Sequence, residues 1–388
     1  MSIVRAQAAL SAYTTLGLGG PAGQLIEAGS DEQIVSVVRE ADQAGEPVLV
    51  LGGGSNLVVA DEGFPGTVVR IVSQGVVTTA VPGDGSAVTV TAAAGEPWDR
   101  LVEWSVHERL AGLECLSGIP GLAGATPIQN VGAYGQDVSQ AIDAVHVYDR
   151  QRGQVRVLTG AECEFGYRTS MLKRAAAGLA TGRFVVLRVS FRLHRQPGSA
   201  RLGSAGLGSA ESGPESAAQP ALSAPIQYPE LAARLGVALG ERVPLAQARA
   251  AVLALRRGKG MVLDPADPDT RSAGSFFTNP VLTAAQFDEL QRRAAARCGP
   301  GTAVPHFDGG GGTVKVPAAW LIDRAGFGKG YPAGGAARIS SKHTLALTSP
   351  GGGSTADLVA LAREITESVR TTFGVELANE PVLVGVTL

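Results

Sequence analysis

The first fifty residues alternate between strand-like and helix-like patterns of apolar positions. Residues 24–28 form a short half-apolar stretch, and apolar side chains then recur at helical spacing over 34–44. Ser30–Gln33 has the spacing of a capping box, and Gly45 is typical of a helix end. The apolar run Val48–Leu51 indicates a buried strand. This region is therefore predicted to be a β–α–β unit with a glycine-rich loop at its exit.

Strand patterns dominate up to about residue 195, and helical patterns dominate after about residue 240. Strands are predicted at 67–71, 87–93, 144–148, 155–158 and 184–193, with a helix at 98–109 among them. Helices are predicted at 244–257, at 283–299, at 317–325 and from 354 or 355 onward, before a closing strand at 382–388. The excess of strands over helices in the first of these regions favours an α+β fold over a doubly wound sheet.

One segment differs from the rest in composition. Residues 197–225 are rich in Gly, Ser, Ala and Pro and poor in side chains that build a core, which predicts a flexible insertion. It separates a first region, 1–196, from a connecting segment, 226–256, and a smaller α+β domain, 257–388. We expect the closing strand of that domain to return to the first region.

Overall composition excludes several classes of protein. Lys and Arg number 33 against 35 Asp and Glu, a net charge of −2, which argues against nucleic-acid binding driven by bulk positive charge. The three cysteines form no CxxC pair and the five histidines no HExxH motif, so we expect neither a disulfide scaffold nor a metal site. No signal-peptide pattern and no apolar run of about 18 residues is present, which predicts a soluble cytoplasmic protein.

The segment Leu51–Leu57, Leu-Gly-Gly-Gly-Ser-Asn-Leu, follows the predicted buried strand. Successive glycines let main-chain amides approach an anion closely, and Ser55 and Asn56 add short polar groups. A pyrophosphate cradle and a glycine-rich tight turn fit this loop equally well. The dinucleotide fingerprint of Rossmann folds is absent because Leu57 stands where a third glycine belongs. The phosphate-binding motif of P-loop nucleoside triphosphatases is absent too, because Lys329 is followed by glycine instead of Ser or Thr.

A second glycine-rich stretch, 118–135, has five glycines in 18 residues and fits neither a regular helix nor a strand. Its apolar side chains, such as Leu122 and Ile128, indicate a packed loop rather than an ordinary surface loop. We therefore favour contact with a flat ligand here over a purely connecting role.

Several long motifs in one order carry a resemblance to a known family. They are Gly52–Asn56, Ser117–Gly135, Gly166–Ser170, Ala273–Pro280, Ala319–Asp323, Gly334–Ala337 and a closing Glu380. Together they resemble the UDP-N-acetylenolpyruvoylglucosamine reductase family, in the form with an extra tyrosine-bearing loop, over nearly the whole chain outside 197–225. The resemblance implies a two-part FAD-binding region of the p-cresol methylhydroxylase-like flavin fold, with a smaller α+β substrate-binding domain.

The resemblance also implies a reaction. In this family NADPH reduces FAD, and the flavin passes hydride to the enolpyruvyl group of a UDP-sugar, giving the UDP-N-acetylmuramate used for bacterial cell walls. Expected ligands are therefore FAD, NADPH and a UDP-sugar, without metal, nucleic acid or membrane. A monomer is expected, with the oligomeric state left open. The alternatives are another FAD oxidoreductase of the same flavin fold and a non-catalytic nucleotide-binding module.

Residue roles follow from the motifs that match. Ser275 corresponds to the proton donor, Arg168 to the active-site arginine and Glu380 to the catalytic glutamate. Cofactor contacts are expected from Leu51, Gly52, Gly53, Gly54, Ser55, Asn56, Ser117, Gly118, Ile119, Pro120, Gly124, Ala125, Asn130, Gly132 and Tyr134. Substrate contacts are expected from Tyr228, Lys259, Asn279 and His343.

Considered without the family, the same residues have simpler interpretations. Ser275 would be a turn or cap hydroxyl, Arg168 a surface ion-pair partner and Lys259 a solvated helix-end lysine. His343 would be a surface histidine. The chain also departs from the commoner family pattern at Thr278, Val382 and the pair Ala378-Asn379 before Glu380.

Overall fold

The structure is a computed structural model that describes residues 3–176, 181–195 and 220–388. Its contacts divide the chain into two compact units. The first comprises Met1–Ala8, Ala22–Gly53 and Pro65–Gly258, and the second Ala9–Pro21, Gly54–Phe64 and Lys259–Leu388. Most of the insertion predicted at 197–225 lies outside the described residues, so its flexibility stays a prediction, as do the predicted domain boundaries.

The described regions mix helices and strands throughout, which confirms the predicted α+β class. The strands are β1 Ile3–Ala6, β2 Ala22–Ala28, β3 Val48–Leu51, β4 Leu57–Val59, β5 Phe64–Ile71, β6 Val76–Val81, β7 Asp84–Ala93, β8 Leu110–Ala111, β9 Gly132–Ala133, β10 Gln136–Asp137, β11 Ile142–Asp149, β12 Gln154–Thr159, β13 Phe184–Arg195, β14 Ser272–Ser275, β15 Val281–Leu282, β16 Phe307–Gly310, β17 Thr313–Lys315, β18 Arg338–Ile339, β19 Ala346–Thr348 and β20 Val382–Val384. The α-helices are α1 Asp31–Ala44, α2 Trp98–His107, α3 Met171–Arg174, α4 Pro229–Leu235, α5 Leu245–Gly258, α6 Ala284–Cys298, α7 Ala318–Arg324 and α8 Thr355–Phe373.

The first unit contains two larger sheets. One has the strand order β1-β2-β5-β3, in which β3 and β5 run parallel. The other is antiparallel in the order β12-β11-β13-β7-β6, with β8 added beside β13. Helix α1 connects β2 to β3, as the β–α–β pattern predicts. Ser30 caps its start by accepting a hydrogen bond from the amide of Gln33, and Gly45 ends it at a φ of 69°.

The core of the first unit explains why its glycine loops are fixed in place. The apolar faces of α1 and α2 and of the long strands meet around Trp98 and Phe191, whose rings lie 5.7 Å apart. Trp98 is fully buried, and its indole nitrogen donates to the carbonyl of Leu116 at 3.0 Å. A buried indole needs a hydrogen-bond acceptor, and here the acceptor belongs to the chain that leads into the second glycine-rich loop.

The second unit combines small sheets with helices α6, α7 and α8. Its sheets have the orders β14-β19-β18 and β15-β17-β16, and β20 pairs in parallel with β4. Capping boxes at Thr283 and Ser354 begin α6 and α8, as their spacing predicts. Phe276, Phe277 and Phe373 are almost completely buried in its core. The closing strand is shorter than predicted, because its pairing with β4 ends at Val384.

Candidate active site

The first glycine-rich loop, which follows the end of β3, has no room for side chains at two of its glycines. A Cβ on Gly53 would lie 2.8 Å from the Cα of Gly121, so the two predicted cofactor loops touch backbone to backbone within the first unit. In the second unit, Gly54 has a φ of 60°, and a Cβ there would lie 1.9 Å from the carbonyl oxygen of Tyr13. These positions require glycine, because any side chain would displace main-chain atoms.

The second glycine-rich loop is anchored to the start of α2. The amide of Trp98 donates to the carbonyl of Gly121 at 3.0 Å, and the amide of Gly118 donates to Asp99 Oδ1 at 2.6 Å. Ser117 is buried, and its hydroxyl donates to the carbonyl of Glu114 at 2.7 Å. The predicted contacts from Ser117 to Pro120 therefore lie on a chain segment whose path is set by hydrogen bonds.

Close packing also fixes the next turn of this loop. A Cβ on Gly124 would lie 2.5 Å from the Cβ of Ala94, and the amide of Gly124 donates to the carbonyl of Ala94 at 2.9 Å. Ala125 follows in the same short 3-10 turn. The loop thus packs flat against the end of β7, as its apolar content predicts.

Arg168 lies against the far end of the same loop. Its φ is 53°, and its guanidinium donates to the carbonyls of Gly132 at 2.6 Å and Asn130 at 3.3 Å. Asn130, itself at a φ of 49°, donates from its side chain to the carbonyl of Gly166 at 3.0 Å. Left-handed backbone is costly for non-glycine residues and is concentrated at functional sites. The structure therefore brings Arg168, Asn130 and Gly132 together within the first unit.

Tyr134 and the loop tyrosine Tyr228 meet edge to face, with ring centroids 5.5 Å apart and planes at 85°. Burial raises the pKa of Tyr134 to about 12, and burial likewise lowers the pKa of the neighbouring Arg256 to about 10. Tyr228 is 40% exposed, so its ring packs on Tyr134 while part of it faces solvent. This contact joins one predicted cofactor residue to one predicted substrate residue.

In the second unit, Ser275 ends β14 beside His343. Ser275 Oγ and His343 Nε2 are 3.4 Å apart. The amide of His343 donates to Ser340 Oγ at 3.2 Å, and Ser341 donates to Asp269 from its amide at 3.0 Å and from its hydroxyl. The turn that presents the imidazole to the hydroxyl is thus held by hydrogen bonds to the side chains of Ser340 and Asp269.

Glu380 reaches the same place through main-chain pairing. Its amide donates to the carbonyl of Phe276 at 2.8 Å, one residue beyond Ser275. Asn56 joins it, because the Asn56 side chain donates to the carbonyl of Glu380 at 3.4 Å and its carbonyl accepts from Val382 at 2.9 Å. Residues separated by over 300 positions in the sequence therefore meet within the second unit.

Asn279 has a structural contact that the sequence did not predict. Its Oδ1 accepts from the amide of Ala318 at 2.9 Å, at the start of α7. Lys259 begins the second unit directly after α5. In the first unit the structure also shows Asp99 and Arg249, which no local pattern singled out, because they lie 150 residues apart.

The loops of the first unit fit the diphosphate of a flavin nucleotide. Gly53 presents bare main chain against Gly121, where a Cβ on Gly53 would not fit, and such glycine-rich surfaces suit phosphate groups. Within the described ranges, no group of three or more His, Cys, Asp or Glu side chains is placed to hold a metal ion. Nor does a helix of the described chain combine the length and apolarity needed to cross a membrane.

Comparison with known proteins first gives the class. A profile of the FAD-binding domain matches residues 22–159, which include both glycine-rich loops. The molecule is thus a flavoprotein by its fold, and the predicted cofactor FAD is confirmed.

The particular family follows from the rest of the chain. A profile of the C-terminal domain of UDP-N-acetylenolpyruvoylglucosamine reductase matches residues 265–384. The chain is 53% identical to the reductase of that name from Thermobifida fusca over 98% of this chain and 97% of the relative. It is 52% identical to the one from Salinispora arenicola over 99% of this chain and 96% of the relative. The chain belongs to the UDP-N-acetylenolpyruvoylglucosamine reductase family.

A solved structure agrees with this assignment. The reductase from Thermus caldophilus matches with a TM-score of 0.60 and 25% identity, and the match covers 99% of both chains. The predicted resemblance, and the flavin-binding α+β fold that it implied, are therefore confirmed. The individual site residues stay predictions.

Proposed function

We propose that this protein is an FAD-dependent enzyme that uses NADPH to reduce the enolpyruvyl group of UDP-N-acetylglucosamine-enolpyruvate to UDP-N-acetylmuramate. The observation that carries the proposal is the hydrogen bond from the Glu380 amide to the carbonyl of Phe276, the residue after Ser275, in a chain of this family. Product and substrate differ by two hydrogens across one carbon–carbon double bond. The enzyme must therefore place a hydride on one carbon and a proton on the other.

FAD, when bound, supplies the hydride that it has taken from NADPH. Delivery to the terminal enolpyruvyl carbon leaves negative charge on the carbon next to the carboxylate. The protein then has two tasks: to stabilise that charge and to donate a proton to carbon. We assign the second task to Ser275, whose hydroxyl is acidic enough for a carbanionic carbon.

The environment of Ser275 supports this assignment. Its hydroxyl lies at the end of β14 with His343 at 3.4 Å, so a polar partner faces the oxygen that loses the proton. The Glu380 main chain is hydrogen-bonded to the next residue, Phe276. We assign to the Glu380 side chain the polarisation of the substrate carboxylate, a role it fills when it is protonated or shares a proton.

We assign charge stabilisation to Arg168. A guanidinium holds a carboxylate through two parallel hydrogen bonds and remains charged at every working pH. Two loop carbonyls and the left-handed backbone fix the side chain in the first unit. That Arg168 and Ser275 act on one flavin ring stays a prediction.

Four further residues are proposed to bind the UDP-sugar. Tyr228 offers an exposed ring supported by Tyr134, and Lys259 offers a cation for the diphosphate. Asn279 and His343 are proposed as polar contacts. We place the reaction in the cytoplasm, where a nucleotide sugar and NADPH are both available, and we expect a monomer.

An absorption spectrum tests the proposal. The purified protein should show the flavin bands, NADPH should bleach them anaerobically, and the enolpyruvyl substrate should restore them. Restoration by oxygen but not by substrate would indicate a different flavin oxidoreductase. A bound flavin that NADPH does not reduce would instead indicate a binding module without this activity.

A further inference from the structure

We infer that Asp99 and Arg249 are a positioning pair that fixes the amide of Gly118, and with it the loop 117–120, for FAD binding. The inference rests on the proposed function, because that loop is assigned to the cofactor there. Neither residue is expected to touch the reacting atoms. Their effect is exerted through the main chain that they hold.

The geometry joins three elements at one carboxylate. Asp99 Oδ1 accepts from the amide of Gly118 at 2.6 Å and from Arg249 Nη1 at 2.6 Å. Asp99 Oδ2 accepts from Arg249 Nη2 at 3.0 Å, which completes a two-bond contact. A planar guanidinium bound in this way fixes the plane of the carboxylate. Arg249, a residue of α5, therefore sets the direction in which Asp99 Oδ1 accepts the hydrogen bond from the Gly118 amide.

Burial makes this pair more than a surface ion pair. The side chain of Arg249 is only 10% exposed, whereas that of Asp99 is 39% exposed. Burial raises the pKa of Asp99, but the hydrogen bonds from Arg249 and the Gly118 amide, together with the nearby arginine charges, outweigh it, so the pKa lies below its usual value. The same pairing raises the pKa of Arg249 against the effect of burial. Both groups are thus charged together, and Glu103 adds a further contact to Arg249 at 3.3 Å.

The anchored loop leads directly to the close contact between the two glycine-rich loops. Trp98, the neighbour of Asp99, holds the loop on either side of Gly118, through the carbonyls of Leu116 and Gly121. Gly121 is the residue that leaves no room for a Cβ on Gly53. A shift at Gly118 would therefore disturb the first loop as well.

The pair also links the loop to the segment after the insertion. Arg249 lies in α5, in the same segment as Tyr228. Just before this segment, Glu114 holds the end of the predicted insertion, because it is fully buried and accepts from the amides of Ala224 and Gly112 at 2.5 and 2.7 Å. The segment that presents a substrate residue thus also holds the cofactor loop.

The test replaces the charged pair by an apolar pair, Asp99→Leu with Arg249→Met. Removing one partner alone would leave a buried charge, whereas replacing both often preserves the fold. The measurements are the FAD dissociation constant of the reconstituted apoprotein, from flavin fluorescence, and the melting temperature of the apoprotein. We expect FAD to bind at least about tenfold more weakly. The kcat at saturating FAD should stay near the parental value.

Two further variants complete the test. Asp149→Leu with Arg183→Met removes another two-bond pair of the first unit, between the end of β11 and the residue before β13, and should leave the FAD dissociation constant unchanged. Arg249→Lys keeps the charge but loses the planar two-bond contact, and should weaken FAD binding by an intermediate factor. Parental FAD affinity in the Asp99→Leu/Arg249→Met variant overturns the inference. If that variant does not fold, parental FAD affinity in Arg249→Lys overturns it. Failure of the parental protein to bind FAD would instead count against the proposed function.

Discussion

The two regions assigned to the reaction differ in the chemical groups that they present, main chain in one and side chains in the other. In the first unit the glycine-rich loops present main chain, and Gly53 has no space for even one added carbon. In the second unit the site is made of side chains, with Ser275 beside His343 and Ser340 behind it. FAD binding by the first region should therefore weaken when atoms are added, and turnover by the second should fall when chemical groups are removed.

The largest expected effect belongs to the second region. Ser275→Ala removes the hydroxyl assigned to protonation and changes little else, because the side chain is small and only half-buried. We expect kcat to fall by about a thousandfold, within the range for a lost general acid. Flavin binding and its anaerobic reduction by NADPH, followed at the flavin absorption band, should remain parental. A variant that turns over at the parental rate would remove Ser275 from the mechanism.

The next effect tests the first region. Gly53→Ala places a Cβ 2.8 Å from the Cα of Gly121, and overpacking of this kind costs about 1–3 kcal/mol. We expect the FAD dissociation constant to rise by about ten- to a hundredfold, measured by titration of the apoprotein. Gly85→Ala is the matched control, because a Cβ there meets nothing within 4 Å. Equal FAD affinities for the two variants would contradict the crowding argument.

How far the sequence predicts these regions depends on the distance over which each is assembled. Local signals were sufficient for the capped helices, since Ser30 and Thr283 act within one turn. The strand β6 was missed because its alternation is weak and its side chains are mostly exposed. The helix α4 was missed as well, although Pro229 at its start and Gly236 at its end are typical helix signals.

Prediction of the site depends even more strongly on the sequence distance between the residues that meet there. Motifs located Ser275, Arg168 and Glu380, but only through resemblance to a family, since isolated side chains of these types have many uses. That Glu380 pairs with Phe276, and Arg249 with Asp99, depends on tertiary contacts over 104 and 150 residues. No periodicity or short motif encodes such contacts.

A buried charge is also expected to contribute to the stability of the first unit. Arg183 holds the pKa of the buried Asp149 at about 2, below its usual 3.8. A lowered folded-state pKa stabilises the protein above pH 3.8, and this stabilisation is lost as the pH falls through 2. The difference in free energy of unfolding between the parent and Asp149→Asn should therefore shrink by about 1 kcal/mol as the pH is lowered from 5 to 3. Urea unfolding at several pH values measures it, and a constant difference would show that the pKa is ordinary.

The smallest expected effect concerns the contact between Ser275 and His343. At 3.4 Å it is a long hydrogen bond, and a neutral hydrogen bond contributes about 0.5–1.5 kcal/mol. We therefore expect His343→Gln, which keeps a polar group near the hydroxyl, to lower kcat by less than about tenfold. Steady-state rates of His343→Gln, measured in the parental and the Ser275→Ala backgrounds, form a double-mutant cycle.

That cycle distinguishes two kinds of contribution from the imidazole. If His343 acts only by orienting the hydroxyl, its replacement has no further effect once Ser275 is alanine. If it binds substrate independently, the KM for the UDP-sugar rises by the same factor in both backgrounds. A loss on His343→Gln as large as that of Ser275→Ala would contradict the order of effects expected here. Protonation would then depend on the imidazole as much as on the hydroxyl, and Ser275 would not act as the donor alone.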